Sequence, residues 1–278
     1  MLPKQRFALN RILAPRSTLT EFIHLASSLE IPKIELRNDL PGVGVIDSFS
    51  PLEVKKLCQD AGISILTINA VQKFNLRSYR IAVMEELKHL LDLCHTIGCS
   101  ALVLCPNNDP SDTRKPSQIR NETVEALQGM GPLFAESGIM GLVEPLGFQI
   151  SSLSSAREAL EMIQESGFSC YKLLLDTFHH HLGPDALEDI GARIPVEQIG
   201  LVHVSGVEDP LAVEDLQDQH RVLPGPADKL NSKRQVQRLV ENGYGGDISF
   251  EPFSRRVQNL PLKDLKEQIR KSMEYLAG

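Results

Sequence analysis

Short apolar runs alternate with amphipathic stretches along the whole chain. Phe7–Leu9, Lys33–Leu36, Ile63–Ile68 and Ala101–Leu104 read as four strands, and Ile139–Val143, Tyr171–Leu175, Ile199–Val204 and Asp247–Phe250 as four more. Such bare hydrophobic runs suit strands buried on both faces, as in a parallel sheet covered by helices. Helical patterns fill the gaps. Leu19–Leu29 opens after Thr18, and Pro51–Ala61 opens after Ser50 with Glu53 in its first turn. Ser and Thr cap the free amides of a helix start, and a first-turn carboxylate suits the positive end of the dipole. Tyr79–Ile97, Gln118–Glu136, Ser154–Glu165, Ser232–Glu241 and Leu262–Leu276 follow, with a further helix expected within Asp185–Arg193. Gly62, Gly98, Gly138, Gly167 and Gly243 stand where several helices should stop, consistent with left-handed C-terminal caps.

Counted this way there are eight β/α units, and alternation demands a parallel sheet with helices over its faces. The 278 residues match the ~250 typical of one (β/α)8 TIM barrel. No G-x-G-x-x-G follows the first strand, which argues against a doubly wound nucleotide-binding sheet and against a nucleotide cofactor. No composition shift or linker divides the chain, so a single barrel domain over 1–278 is the expectation.

Composition narrows the partners. The formal charge is −7 with the basic residues scattered, which is not the footprint of a nucleic-acid binder. No polybasic segment or long apolar run predicts a membrane partner or an export signal. The five cysteines, Cys58, Cys94, Cys99, Cys105 and Cys170, are odd in number and lack C-x-x-C spacing. That suits reduced thiols in a cytoplasm, with packing as their default role and Cys105 near the edge of the site.

Barrel chemistry sits at the carboxyl ends of the strands. The last four strands end in Glu144, Asp176, His203 and Glu251, each directly after or within an apolar run. Taken singly, each has an ordinary alternative as a cap, an ion pair or a rim residue. Jointly, on four successive strand ends, they point to a shared cation, because four buried ionisable groups are costly unless paired or metal-bound. Three carboxylates with one imidazole predict one divalent ion, Mn²⁺ before Mg²⁺, with Co²⁺ or Zn²⁺ also able to bind. His179 follows Asp176 at D-x-x-H spacing, and Arg221 lies after the seventh strand, with a loop ion pair to Asp218 or Asp228 as its plainer role. Glu35, Arg37, Asn10 and Asn69, at strands one to three, are expected on the opposite wall, unless Glu35 and Arg37 only pair with neighbouring charges. The polar loop Pro106–Pro116 reads as a solvated turn.

These stretches resemble the xylose-isomerase-like barrel superfamily of sugar isomerases and epimerases, and within it the inosose isomerase branch. The resemblance runs from Asn10 to the last helix, through Ile34–Arg37, Ile68–Asn75, Leu142–Gln149, Leu173–His181, Asp218–Gly225 and Ser249–Phe253. It implies that Glu144, Asp176, His203 and Glu251 fill the metal positions and that Glu144 and Glu251 also form the acid/base pair. It further implies substrate contacts from His179 and Arg221. One departure stands out: Pro224-Gly225-Pro226-Ala227 lacks the second glycine usual in the turn after the arginine.

The resulting expectation is a metal-dependent isomerase or epimerase of a small polyhydroxylated ketone, an inosose or ketose, acting through a cis-enediolate in inositol catabolism. Inosose dehydratase, ketose 3-epimerase and hydroxypyruvate isomerase begin with the same proton abstraction. A non-catalytic polyol-binding barrel is the alternative of a different class. An abasic-site endonuclease would need extra histidines at earlier strands and a basic face, which this acidic chain lacks. A homodimer is the base-rate expectation.

Overall fold

The computed structural model describes residues 2–278. Eight parallel strands close into a barrel: β1 (Phe7–Asn10), β2 (Lys33–Arg37), β3 (Ser64–Val71), β4 (Ala101–Leu104), β5 (Met140–Val143), β6 (Tyr171–Asp176), β7 (Ile199–Val204) and, last in the chain, β10 (Ile248–Phe250). Neighbours in sequence are neighbours in space, and pairing of Phe7 with Ile248 and Leu9 with Phe250 closes the ring. The expected (β/α)8 barrel is therefore the observed architecture.

Local chemistry sets the helices around it. In α1 (Leu19–Ser28) and α2 (Pro51–Ala61), Thr18 and Ser50 accept from the third helical amide while Glu21 and Glu53 reach back to the cap amide. Both ends of each capping box satisfy donors that the helix itself leaves unpaired. Gly62 (φ 67°) and Gly98 (φ 78°) end α2 and α3 (Arg80–Ile97) in the left-handed region, where a Cβ would be strained. Helices α4 (Pro116–Ser137) and α5 (Ala156–Ser166) continue the outer layer. None of the helices among the described residues is long and apolar enough to cross a membrane.

Because successive strand side chains point to opposite faces, each strand divides its burial. Leu102 and Leu104 join the large cluster between strands and helices, whereas Val103 and Cys105 belong to a smaller one with Ala70, Ala101, Leu142, Leu174 and Leu201. That second cluster contains no helix residue, as the barrel interior requires. Two residues beyond Leu142, Leu174 and Leu201 come Glu144, Asp176 and His203. The period of two thus carries each of these polar side chains inward, one layer above the apolar filling.

Between β6 and β7 the structure departs from expectation. No α-helix occupies Asp185–Arg193; that segment holds only a short 3-10 turn, with Gly191 at φ 84° and Pro195 following. The helix lies earlier, as α6 (Thr177–Leu182), and carries the three histidines. It starts there because Asp176 Oδ1 accepts from the Phe178 amide at 2.7 Å, making the last strand residue an N-cap. A two-residue antiparallel hairpin, β8 (Gly206–Val207) with β9 (Arg221–Val222), follows β7. It is too short to leave a hydrophobic period in the sequence. Helices α7 (Ser232–Glu241), α8 (Arg255–Gln258) and α9 (Leu262–Ala277) complete the chain.

Candidate metal centre and active site

Glu144, Asp176, His203 and Glu251 converge at the carboxyl end of β5, β6, β7 and β10, all buried, with one donor atom from each lying within 4.8 Å of the others. Backbone pairing sets their heights: Asp176 lies opposite His203 across β6 and β7, and the Glu251 amide donates to Val204 O at 3.0 Å. His203 Nδ1 stands 3.1 Å from Glu251 Oε2 and 3.4 Å from Glu144 Oε1. The same nitrogen is buried and has no well-directed hydrogen bond.

Three carboxylates facing one imidazole nitrogen form a set of electron-pair donors, and a divalent cation satisfies such a set. Oxygen-rich ligation with a single nitrogen fits Mn²⁺, Mg²⁺, Co²⁺ or Zn²⁺. No thiolate belongs to the cluster, unlike a structural cysteine zinc site.

Arg221 enters from β9 and is buried. Its Nη2 donates to Asp176 Oδ2 and, at 2.9 Å, to Glu251 Oε2, its Nη1 to Asp218 at 3.1 Å, and its Nε to Ser205 at 3.1 Å. Its guanidinium also lies between the rings of Phe178 and Phe253, 4.9 and 4.7 Å from their centroids. The Asp218 ion pair foreseen in the sequence is present, and it is the smaller part of the residue's contacts. With Pro224–Ala227 in the following turn, Arg221 still points into the cluster.

The charges shift one another strongly. Burial disfavours the ionised Glu251, but His203 and Arg221 outweigh burial and hold its carboxyl well below the usual range. Burial likewise disfavours charge on His203, yet Glu251 and Glu35 outweigh it and raise the imidazole well above its ordinary value. For Asp176 burial prevails over Arg221, with Glu251 and Glu144 adding repulsion, and its carboxyl rises to about 7. These directions belong to the metal-free chain, where His203 and Arg221 supply positive charge beside the carboxylates.

Above the cluster opens a cavity of about 290 Å³. Glu144, Glu251, Arg221 and His179 line it together with Arg37 and Asn69, and Leu146, Phe148 and Phe253 add apolar wall. His179 packs edge-on against Phe148 and Phe178, and its Nδ1 is buried without a partner. Arg37 bridges Asp39 and Glu251, its Nη1 2.7 Å from Glu251 Oε1.

Two sequence expectations change here. Glu35 and Asn10, foreseen on the substrate wall, do not line the cavity: Asn10 is held against Glu35 and Glu251, and Glu35 is buried beneath the cluster against His203, Thr67, Asn69 and Asn10. The inward period of β2 turns its side chain to the barrel axis one layer below Arg37. The loop Pro106–Pro116 is not simply solvated either. Asn107 is buried, its backbone amide donating to Asn75 Oδ1 and its side-chain Nδ2 to Asp112, while Asn108 reaches the cavity.

Other lining groups carried little sequence signal. Cys105 lies against the cluster, its Sγ donating to Glu144 Oε2 at 3.4 Å, and burial followed by Glu144 raises the thiol well above its ordinary value. Phe253 and Phe148 are loop aromatics whose neighbours are distant in sequence. Only the step of two from Val103 to Cys105 marked an inward position.

The sequence of residues 23–278 matches the model of the xylose isomerase-like TIM barrel family. An inosose isomerase of Halalkalibacterium halodurans is 26% identical over 215 residues, 76% of this chain and 74% of that protein. A solved xylose isomerase domain containing protein from Salmonella typhimurium LT2 is 41% identical with a TM-score of 0.93, covering 100% of this chain and 99% of that one. The fold also matches a structure of the IolI protein with a bound zinc atom, at 21% identity and a TM-score of 0.88, over 98% of this chain and 97% of that one. With that match over almost its full length, the chain belongs to the xylose isomerase-like TIM barrel family.

Proposed function

We propose that this protein is a divalent-metal-dependent isomerase or epimerase of a neutral polyhydroxylated ketone, with an inosose as the first substrate to test. The observation that carries the reading is the pair of buried carboxylates, Glu144 and Glu251, facing one cavity on either side of His203 Nδ1. The sugar isomerase character of the curated relatives supports the reaction class, and the inosose isomerases among them support the substrate.

Glu144, Asp176, His203 and Glu251 would hold the ion, which supplies Lewis acidity toward the ketone oxygen and a neighbouring hydroxyl. The chain's own residues do the rest. One of the carboxylates, Glu144 or Glu251, removes the proton from the carbinol carbon beside the ketone. The same or the other then returns a proton either to the former ketone carbon, while the hydroxyl proton passes to the former ketone oxygen, or to the opposite face of the original carbon. The substrate passes through a cis-enediolate, giving a shifted ketone or an inverted centre. Cys105 holds one oxygen of Glu144, leaving the other directed at the cluster. Arg221 and His179 present a cationic fork and an unpartnered ring nitrogen to substrate oxygens. Leu146, Phe148 and Phe253 limit water around the reacting carbons.

The test is deuterium uptake from D₂O into a panel of inososes and ketohexoses, followed by NMR with Mn²⁺ and again after chelation. Metal-dependent exchange with appearance of an isomer of equal mass is the expected result. Loss of water from the product would make the enzyme a dehydratase, and tight binding of every panel member without exchange would make it a binding protein.

A further inference from the structure

We infer that Glu35 is a positioning residue that sets the tautomer and ring plane of His203, turning Nδ1 toward the centre shared by Glu144, Asp176 and Glu251. The inference rests on the metal reading above and adds a residue that touches neither the ion nor the substrate.

Glu35 sits on β2 with its side chain wholly buried. Its Oε2 lies 3.0 Å from His203 Nε2 and accepts from Thr67 Oγ1 at 2.5 Å and Asn69 Nδ2 at 3.0 Å, and its Oε1 accepts from Asn10 Nδ2 at 3.3 Å. An ionised carboxylate can only accept. Nε2 must therefore carry hydrogen, and the lone pair of a neutral imidazole falls on Nδ1, the tautomer following from the network around the ring. That is the nitrogen left without a hydrogen bond, between Glu144 and Glu251.

The ring plane is constrained by the same contact. The Glu35 carboxylate has its own position fixed by β3, through Thr67 and Asn69, on the far side of the ring from the carboxylate cluster. Asn10 extends the support to a second member of the cluster, because its Nδ2 donates to both Glu35 Oε1 and Glu251 Oε1 at 3.3 Å. Asn10 is itself fixed, since its Oδ1 accepts from the Ile12 amide at 3.1 Å and from Arg37 at 3.2 Å. Carboxylates that hold the outer N–H of a ligating histidine raise its basicity and fix its aim, and losing one typically weakens metal binding about 10- to 100-fold.

Wild-type protein and Glu35→Gln are titrated with Mn²⁺ by calorimetry, and the melting of both is recorded in chelator. The expected result is one site in the wild type and affinity about 10- to 100-fold weaker in the variant. Glu122→Gln, which removes another buried carboxylate, one paired with Arg114 outside the cavity, serves as control and should leave Mn²⁺ affinity unchanged. Equal affinity in wild type and Glu35→Gln, or an equal loss in the control, would overturn the inference. A wild-type chain that binds no Mn²⁺ would sink the metal reading itself, and this one with it. Should Glu35→Gln not fold, histidine nitrogen NMR of the Zn²⁺-loaded wild type decides: a protonated Nε2 with Nδ1 on the metal is expected, and the reverse tautomer is fatal.

Discussion

Arg221→Ala should make the stability of this barrel depend on its metal. The guanidinium is buried between Phe178 and Phe253 and donates to both Asp176 and Glu251. Truncation leaves those carboxylates buried beside Glu144 with one positive neighbour fewer, while His203 and, for Glu251, Arg37 remain. Removing one partner of a buried pair typically costs about 3–5 kcal/mol, because the charge left behind is uncompensated. Unfolding entropy of ~2.1 cal/mol/K per residue over 278 residues gives roughly 0.6 kcal/mol/K. The metal-free variant should therefore melt about 5–9 °C below wild type. Saturating Mn²⁺ supplies positive charge to the same carboxylates, so the gap should narrow. Scanning calorimetry of both proteins, in chelator and in Mn²⁺, measures the two gaps directly. A metal-free gap under about 2 °C would refute the idea that Arg221 compensates the cluster. A gap of equal size in both conditions would show that its loss acts through packing against the two phenylalanines instead.

Other consequences can be checked separately. Glu251→Gln should abolish proton exchange at the substrate carbon when assayed at Mn²⁺ concentrations shown to saturate it; near-normal exchange would remove Glu251 from proton transfer. Glu35 is fully buried, yet His203, Thr67 and its other donors outweigh burial and hold its carboxyl at about 2 against an ordinary 4.5. A depressed folded value contributes stability that is present above pH 4.5 and lost as pH falls toward 2. Urea unfolding of the metal-free chain across that window should show a steeper acid loss in wild type than in Glu35→Gln, and parallel curves would contradict it. Gly141→Ala would bring a Cβ to 2.6 Å from the Tyr171 ring, whose hydroxyl is tied to Leu127 O at 2.8 Å. Overpacking of this kind costs about 1–3 kcal/mol, so a melting point lower by roughly 2–5 °C is expected, and an unchanged one would mean that the ring moves freely aside.

What the chain order alone determined was the succession of elements and the layer in which chemistry sits. Eight apolar runs separated by capped helical patterns specify a parallel barrel, because burial on both faces and N-terminal capping are local properties. Glu144, Asp176, His203 and Glu251 were legible as a set for the same reason: each interrupts or ends an apolar run, and the period of two carries it inward. What lies between distant segments was not legible. Glu35 and His203 are 168 positions apart, and only barrel closure puts a carboxylate behind that imidazole rather than on the cavity wall. Arg221 reaches Asp176 and Glu251 from a two-residue strand that leaves no periodic trace. The histidine run became a helix because Asp176 serves at once as the last residue of a strand and the cap of the next element. Hydrophobic periodicity reports which way a side chain points; which side chain it meets there is decided by the closing of the barrel.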